Sequence, residues 1–259
     1  GIPGATLMEN AGVAVARAIE ARWGRERRVA ILCGAGNNGG DGFVIARVLK
    51  SDWTRVYVIG ALDAIRGDAR HHLDRLRRER ARLSVTFVES EEALRGIATE
   101  LARASVIVDA LLGTGARGEP RGLHAGAIEA IRRERTRGAR VVAVDLPSGV
   151  PANAEAFDWP AVSADLTITF AARKPCHVFA PAADLCGVTE VVPIGLKAEA
   201  LSFDGRRPPL FEIEAADARA AFPRRPLDSH KGTFGHVLVV AGSTGKAGAA
   251  LLAARGAFR

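Results

Sequence analysis

The sequence predicts an α/β fold in which a mostly parallel sheet carries helices on both faces. Three apolar runs, at 29–33, 106–108 and 141–144, carry this prediction. Continuous runs of Val, Ile and Leu are typical of strands that are covered on both sides. Helical stretches separate these runs, and such alternation favours a parallel sheet. The 259 residues, 48% of them hydrophobic, suffice for a large core. Together these features indicate a three-layer, Rossmann-like architecture.

The predicted elements follow one another along the chain. The segment 7–22 has apolar residues at helical spacing, among them Leu7, Val15 and Ile19. Five strands are predicted next, at 29–33, 55–59, 84–88, 105–109 and 140–145. Helices are predicted between and beside them, at 43–50, 66–82, 91–103 and 123–137. Two short strands, at 165–170 and 187–192, complete the predicted sheet.

The last quarter of the chain has a different composition. A segment rich in Pro and Arg, 206–227, interrupts the regular pattern and is interpreted as a linker. An apolar run at 236–241 predicts a new strand, and a helix is expected from Ala247 after a Gly-rich turn. We therefore expect a first domain over 1–205 and, in 228–259, only the start of a second.

Charge and composition exclude several classes of protein. The net charge is +7, but most of the 36 basic residues are arginines on ordinary helical faces, and no aromatic residues alternate with them. This pattern argues against a nucleic-acid partner, although a basic surface would attract a phosphate-bearing ligand. No apolar stretch reaches the roughly 18–20 residues that span a bilayer. Three cysteines without a CxxC pair suggest neither disulfides nor zinc, so we expect a cytoplasmic protein.

The run 33–42, Cys-Gly-Ala-Gly-Asn-Asn-Gly-Gly-Asp-Gly, is the most informative stretch of the chain. It follows a predicted strand and precedes a predicted helix, where bare N–H groups and the helix dipole can hold an anion. Its spacing matches neither the dinucleotide fingerprint GxGxxG nor the GxxxxGK[ST] P-loop. The alternative interpretation is a glycine-rich turn with no ligand.

Two further strands end in similar loops. Asp109 and Asp145 each close an apolar run, and a Gly-rich loop or the sequence Leu-Pro-Ser-Gly follows. In parallel sheets ligands bind beyond the carboxyl ends of the strands, so the three loops are expected to line one crevice. A single Asp at such a position can instead cap a helix.

In this order, the motifs resemble those of the NAD(P)H-hydrate epimerase family, the YjeF N-terminal domain. The resemblance rests on Asn-Asn-Gly-Gly-Asp-Gly at 37–42, Asp-Ala-Leu-Leu-Gly-Thr-Gly at 109–115 and Asp-Leu-Pro-Ser-Gly at 145–149, and it covers about residues 5–197. The motif at 228–235 resembles the opening of an ADP-dependent NAD(P)H-hydrate dehydratase domain of ribokinase-like fold. The resemblance thus implies a fragment of the bifunctional repair enzyme, with ADP or ATP used by its dehydratase domain.

The resemblance also implies roles for individual residues. The substrate would be NADHX or NADPHX, the hydrated dinucleotide. The implied substrate-binding residues are Asn37, Asn38, Gly39, Gly40, Asp41, Gly113, Thr114, Gly115, Ala116, Arg117, Gly118, Glu119 and Asp145. Asn38, Asp109 and Ser148 would hold a potassium ion, and their oxygen atoms suit such a hard cation. A homo-oligomer without a membrane partner is expected.

Asp145 is the candidate catalytic residue, with Lys174 as an electrostatic aid. The hydrate carries its hydroxyl on a carbon next to the ring nitrogen, so inversion requires only proton transfers. The ring can open and close again, or the hydroxyl can be lost and regained, and one carboxylate can serve either route as base and then acid. Lys174 could instead be a solvated surface lysine, and the fold could serve as a non-catalytic nucleotide-binding or scaffold module. A Rossmann dehydrogenase or methyltransferase is disfavoured because GxGxxG is absent.

Overall fold

A computed structural model describes residues 1–24, 27–51, 53–197, 210, 212–222, 226–230 and 232–258. The chain divides into a unit of residues 1–206 and a unit of residues 207–259. The helices of the first unit are α1 (Gly4–Trp23), α2 (Asn37–Val48), α3 (Gly67–Glu79), α4 (Glu91–Gly96), α5 (Ala98–Leu101) and α6 (Gly122–Thr136). Its strands are β1 (Arg28–Cys33), β2 (Trp53–Ile59), β3 (Ser84–Val88), β4 (Val106–Ala110), β5 (Arg140–Val144), β6 (Leu166–Phe170) and β7 (Val188–Val192).

The strands form one sheet of seven in the order β3-β2-β1-β4-β5-β6-β7. All six neighbouring pairs are parallel, which confirms the predicted α/β class. The chain winds from β1 towards β3 and then, from β4 on, in the opposite direction. β1 and β4 therefore flank the point where the strand order reverses, which is where open α/β sheets form their ligand crevice.

Apolar side chains cover both faces of this sheet. One layer, which includes Val15, Phe43 and Leu73, packs α1, α2 and α3 against it. The other, which includes Leu101 and Ile131, packs α5 and α6 against the opposite face. With both faces covered by helices, the sheet exposes the carboxyl ends of its strands, the edge at which open α/β sheets bind ligands. None of the helices in the described part of the chain has the length and apolar character needed to cross a membrane.

The predicted start of the second helix, at residue 43, is wrong. α2 begins at Asn37, so the Asn-Asn-Gly-Gly-Asp-Gly motif forms its first turns rather than a loop. Glycine usually indicates a loop because it lowers helix propensity. Here none of the five glycines between 34 and 42 has a positive φ. Tertiary contact explains them instead: a Cβ on Gly39 would lie 1.8 Å from the carbonyl oxygen of Gly34, and one on Gly42 would lie 2.5 Å from the sulfur of Cys33.

The second unit, residues 207–259, also departs from expectation. The run 236–241 was predicted as a strand but has no regular structure, and Leu238 and Val240 are each 87% exposed. A strand needs a neighbour to satisfy its backbone groups; in the described residues this run pairs with none. Within the predicted linker lies a helix, α7 (Ala215–Ala221), whose start is stabilised by the side chain of Asp217 accepting from the N–H of Glu214. A further helix, α8 (Gly248–Ala257), agrees with the expected helix from Ala247. A ribokinase-like domain here stays a prediction.

Candidate active site

A cleft of about 500 Å³ opens at the carboxyl ends of β1, β4 and β5. Four chain segments line it: the start of α2 with the two residues before it, the loop after β4, the first turn of α6, and the residue that follows β5. The lining residues are Ala35, Gly36, Asn37, Asn38, Asp41, Leu111, Leu112, Gly113, Thr114, Gly115, Ala116, His124 and Asp145. The three loops that the sequence analysis placed at strand ends therefore meet in one crevice.

The first turn of α2 is fixed to the neighbouring loop by Asn38. Its Nδ2 atom donates a hydrogen bond to the carbonyl oxygen of Leu112 at 3.0 Å, which joins the loops after β1 and β4. The side-chain carbonyl of Asn38 lies beside Gly113, where a Cβ would stand 3.8 Å from its Oδ1 atom. The helix N-terminus thus faces the cleft with free N–H groups, an arrangement that suits an anionic ligand.

Asp145 follows β5 in a left-handed conformation, with φ of 69°. Asp tolerates this region better than most residues, and the structure must hold it there against strain. No helix follows it in the described residues before β6, so Asp145 is not a helix cap. Its Oδ1 atom accepts a hydrogen bond from the hydroxyl of Thr169 at 2.9 Å. The same oxygen forms an ion pair with Nζ of Lys174.

Lys174 lies within this polar cluster rather than out in solvent. Its ammonium donates to the hydroxyl of Thr169 at 2.8 Å and to the carbonyl oxygen of Phe170 at 3.2 Å, besides the carboxylate of Asp145. Its side chain is 22% exposed. These contacts would allow Lys174 to act on Asp145 electrostatically. A solvated surface lysine would instead have its ammonium group in water.

His177 holds the backbone of the same two residues. Its Nδ1 atom accepts from the N–H of Lys174 at 2.9 Å, so the ring hydrogen of the neutral imidazole belongs on Nε2. Nε2 lies 2.9 Å from the carbonyl oxygen of Asp145 and donates to it. The ring is 7% exposed. His177 therefore links the loop after β6 to the strained residue in the cleft.

Asp41 is the second carboxyl group of the cleft and is only 9% exposed. Burial and, secondarily, the negative charge of Asp145 raise the pKa of the Asp41 carboxyl well above its usual range.

Beneath the cleft, Asp109 and Ser148 form a buried polar pair. Asp109 accepts from the hydroxyl of Ser148 at 2.6 Å and from its N–H at 2.7 Å, and both side chains are 0% exposed. The Ser148 hydroxyl accepts from the N–H of Leu112 at 2.9 Å. Burial raises the pKa of Asp109 to about 6, although the hydrogen bonds from Ser148 lower it.

Asp109 makes no ion pair within the described residues, so its charge lacks a balancing cation. Close to it are the hydroxyl of Ser148, which donates to Asp109, and the carbonyl oxygen of Leu112, which accepts from the side-chain amide of Asn38. These donors are all hard oxygens and carry one negative charge among them, which fits a monovalent cation. The described part of the chain contains no cluster of His, Cys, Asp and Glu that could hold a metal ion.

The structure distributes the predicted substrate-binding residues unevenly. Eight of them line the cleft: Asn37, Asn38, Asp41, Gly113, Thr114, Gly115, Ala116 and Asp145. The Cα atoms of Gly39 and Gly40 pack against Gly34 and Met8, so only their backbone groups could reach a ligand. Arg117 and Gly118 line a neighbouring cleft of about 260 Å³. Glu119 lines neither of these two clefts.

Three residues of the site were not anticipated from the sequence: Thr169, His177 and His124. Thr169 is fully buried near the end of β6, which also contains the buried Thr167, and a polar residue close to the carboxyl end of a buried strand is a usable signal. His177 and His124 lie in a short 3₁₀ turn and in the first turn of α6, where no spacing pattern distinguishes them.

A family of known proteins matches the part of the chain that contains the cleft. The family model described as "YjeF-related protein N-terminus" matches residues 4–176. That range contains every residue of the cleft together with Lys174, but it stops one residue before His177.

Curated relatives cover either the whole chain or its first three quarters. A bifunctional NAD(P)H-hydrate repair enzyme of Moorella thermoacetica is 40% identical over 100% of this chain and 48% of its own length. An NAD(P)H-hydrate epimerase of Pirellula staleyi is 42% identical over 76% of this chain and 85% of its own length. The chain spans about half the length of the bifunctional relatives that it matches.

A solved structure shares the fold. The yeast protein YNL200c superposes with a TM-score of 0.60 at 22% identity, over 74% of this chain and 79% of its own. At this level of identity the likeness shows the fold alone.

Proposed function

This chain belongs to the family of YjeF-related protein N-termini, and on that premise we propose that it interconverts the R and S epimers of NADHX and NADPHX. The observation that carries the proposal is the position of Asp145, at the wall of a cleft that also presents the N-terminus of α2. An activated carboxylate and an anion-binding helix end are what the epimerisation of a dinucleotide requires. The 42% identical relative named NAD(P)H-hydrate epimerase supports the same activity.

The substrate would lie along the carboxyl edge of the sheet. Its phosphates would bind the free N–H groups at Asn37 and Asn38, where the helix dipole favours negative charge. The loop 113–119 would contact the remainder of the dinucleotide, and the hydrated ring would stand beside Asp145. The fold thus holds the reacting carbon near one carboxylate by anchoring the charged part of the substrate elsewhere.

Inversion at C6 of the hydrate proceeds by proton transfers. Asp145 would remove the proton of the C6 hydroxyl, so that the carbonyl forms and the bond from C6 to N1 breaks; its electron pair moves to N1, which takes up a proton. After rotation, N1 attacks the other face of the carbonyl and gives up that proton, and Asp145 returns its proton to the oxygen. Lys174 balances the charge of Asp145 and orients it, and Thr169 fixes the same oxygen.

A potassium ion would be held by Asn38, Asp109 and Ser148, with the carbonyl oxygen of Leu112 nearby. Its charge would balance that of Asp109, which is buried and without an ion pair in the described residues. Since a monovalent ion is a weak Lewis acid, it would serve to order the loops after β1, β4 and β5 rather than to polarise the substrate.

The bifunctional relatives are about twice as long as this chain, and residues 228–259 resemble the opening of their second domain. We infer that a protein carrying such a domain in full would also use ADP or ATP to dehydrate the S epimer. We also propose that the protein is a homo-oligomer in the cytoplasm; the three cysteines, all free and buried, suit a reducing compartment.

The test is the interconversion of a single purified epimer of NADHX, followed by chromatography that separates the two epimers. The chain should speed the approach to equilibrium far beyond buffer alone, and Asp145→Asn should abolish the acceleration. A scaffold module of the same fold would bind NADPH in a thermal-shift assay yet leave the epimer ratio unchanged, which would refute the enzymatic proposal.

A further inference from the structure

Asp41 is placed as though it were a reactive group, yet the proposed reaction has so far used only Asp145. It lines the same cleft, near the start of α2, and lies close enough to Asp145 to sense its charge. Its carboxyl makes no hydrogen bond and no ion pair with any residue that the structure describes. A carboxyl that is 91% buried normally has such partners, so its free atoms face the space that a substrate would fill.

The charge nearest to Asp41 is negative and therefore disfavours a second carboxylate. Asp145 faces it from the end of β5, and the cation next to Asp145, Lys174, is bonded to that residue and to Thr169. On β1 the thiol of Cys33 lies close enough to sense the charge of Asp41, and burial raises the pKa of that thiol. From α6, His124 faces the cleft, and burial lowers the pKa of its ring.

Only one of the two neighbouring carboxyl groups is paired with a cation in the described residues, so their roles differ. Asp145 has the ammonium of Lys174 and the hydroxyl of Thr169, so it is the one equipped to carry the negative charge. Asp41 has neither partner, and its burial together with the neighbouring charge of Asp145 raises its pKa. Pairs of acids with environments of this kind commonly act as acid and base.

We propose that Asp41 is the proton donor that works opposite Asp145 in the epimerisation. The inference rests on the proposed function and deepens it. In the ring-opening step, Asp145 takes the proton of the C6 hydroxyl, and the electron pair of that bond forms the carbonyl. The C6–N1 pair moves to N1, which takes the proton of Asp41. After rotation, N1 attacks the other face of the carbonyl, its proton returns to Asp41, and the proton on Asp145 returns to the oxygen.

The decisive variant is Asp41→Asn, which keeps the size and a hydrogen-bond donor but removes the transferable proton. We expect kcat to fall by about 100-fold or more, the usual scale for a lost acid, with KM changed far less. In the parent protein kcat should fall at alkaline pH, as Asp41 loses its proton, and this limb should vanish in the variant. Asp41→Glu should restore part of the rate. A normal kcat, a change in KM alone, or an unchanged alkaline limb would overturn the proposal.

A second measurement does not depend on turnover. Infrared difference spectroscopy at neutral pH should detect the carbonyl band of a protonated carboxylic acid in the parent protein and in Asp145→Asn, but not in Asp41→Asn. If the parent protein shows no carboxylic-acid band that is lost in Asp41→Asn, then Asp41 carries no proton at neutral pH. The proposal would then be wrong even if the enzyme is active. If the band behaves as expected and no epimerisation is found in the parent protein, the proposed function fails instead.

Discussion

The Nε2 atom of His177 lies 2.9 Å from the backbone carbonyl oxygen of Asp145, and this hydrogen bond crosses from the loop after β6 to the end of β5. Asp145 stands in a left-handed conformation that its neighbours must stabilise. The ring of His177 also accepts from the N–H of Lys174. One imidazole therefore fixes the backbone of both members of the ion pair in the cleft.

Replacement of His177 should therefore impair turnover, although His177 acts through the position of Asp145 and not by contact with the substrate. For His177→Phe we expect kcat to fall by roughly 10- to 100-fold, because small errors of position are costly in catalysis. His177→Gln, whose amide can still donate near the Nε2 position, should retain more activity. Equal rates for the two variants, measured by epimer separation, would show that the hydrogen bond to Asp145 does not position it.

Asp145→Asn tests the reacting group itself. The amide cannot accept a proton, so epimerase turnover should drop by at least about 100-fold. Ligand affinity should change little, since the hydrogen bond from Thr169 can still be accepted by the amide oxygen, whereas loss of the ion pair with Lys174 should lower the melting temperature. Isothermal titration with NADPH would check that the cleft remains intact. Near-normal turnover would remove Asp145 from the catalytic role.

The edge of the sheet that carries the site could be predicted from the sequence. Apolar runs that end in Asp109 and Asp145 indicate buried strands, and parallel strands bring their carboxyl ends to one side. The chemistry of the family motifs then indicated the cleft. The strand order itself, with the reversal between β1 and β4, is a property of long-range packing that no local pattern carries.

The local rules failed where tertiary contact decides the structure. Glycine content predicted a loop at 34–42, but those glycines allow α2 to approach β1 closely and begin at Asn37. The apolar run at 236–241 predicted a strand, yet a strand forms only beside a partner. Thr169 and His177 escaped notice because their roles depend on the path of the chain after β6.

The close approach of α2 to the end of β1 gives a prediction about stability. A Cβ on Gly39 would lie 1.8 Å from the backbone oxygen of Gly34, and backbone cannot move aside cheaply. Gly39→Ala should therefore cost about 3 kcal/mol or more of the free energy of unfolding. Gly36→Ser is the matched control: no atom lies within 4 Å of its Cβ position, and serine is a good N-cap for α2. Urea denaturation would compare the two, and similar losses would contradict the steric explanation.

The proposed potassium site predicts a cation-dependent melting temperature. Potassium should stabilise the protein relative to tetramethylammonium at equal ionic strength, because binding to the native state raises its stability by mass action. Asp109→Asn should remove most of this difference. Asp158→Asn, a change at an exposed residue, should leave it intact. A potassium response that survives in Asp109→Asn would show that the assigned ligands are wrong.

The last prediction concerns pH and the packing of α3 against α1. His72 is 1% exposed, and its Nε2 atom, 2.9 Å from the carbonyl oxygen of Ala5, must carry the ring hydrogen because that oxygen can only accept. Its Nδ1 atom has no hydrogen-bond partner in the described residues, although Oε2 of Glu9 lies 3.6 Å away. Burial lowers the pKa of His72.

A lowered pKa means that the folded protein binds this proton less readily than the unfolded chain does. The contribution of His72 to stability is therefore complete above the ordinary histidine pKa of about 6.5 and is lost as the pH falls below it, towards the pKa of the folded state. His72→Gln should lose less stability between pH 7.5 and 5.5 than the parent protein, measured by urea denaturation at each pH. His71→Gln, at the exposed neighbouring position, should lose as much as the parent. If His72→Gln followed the parent curve, proton uptake by another group would have to explain the acid sensitivity.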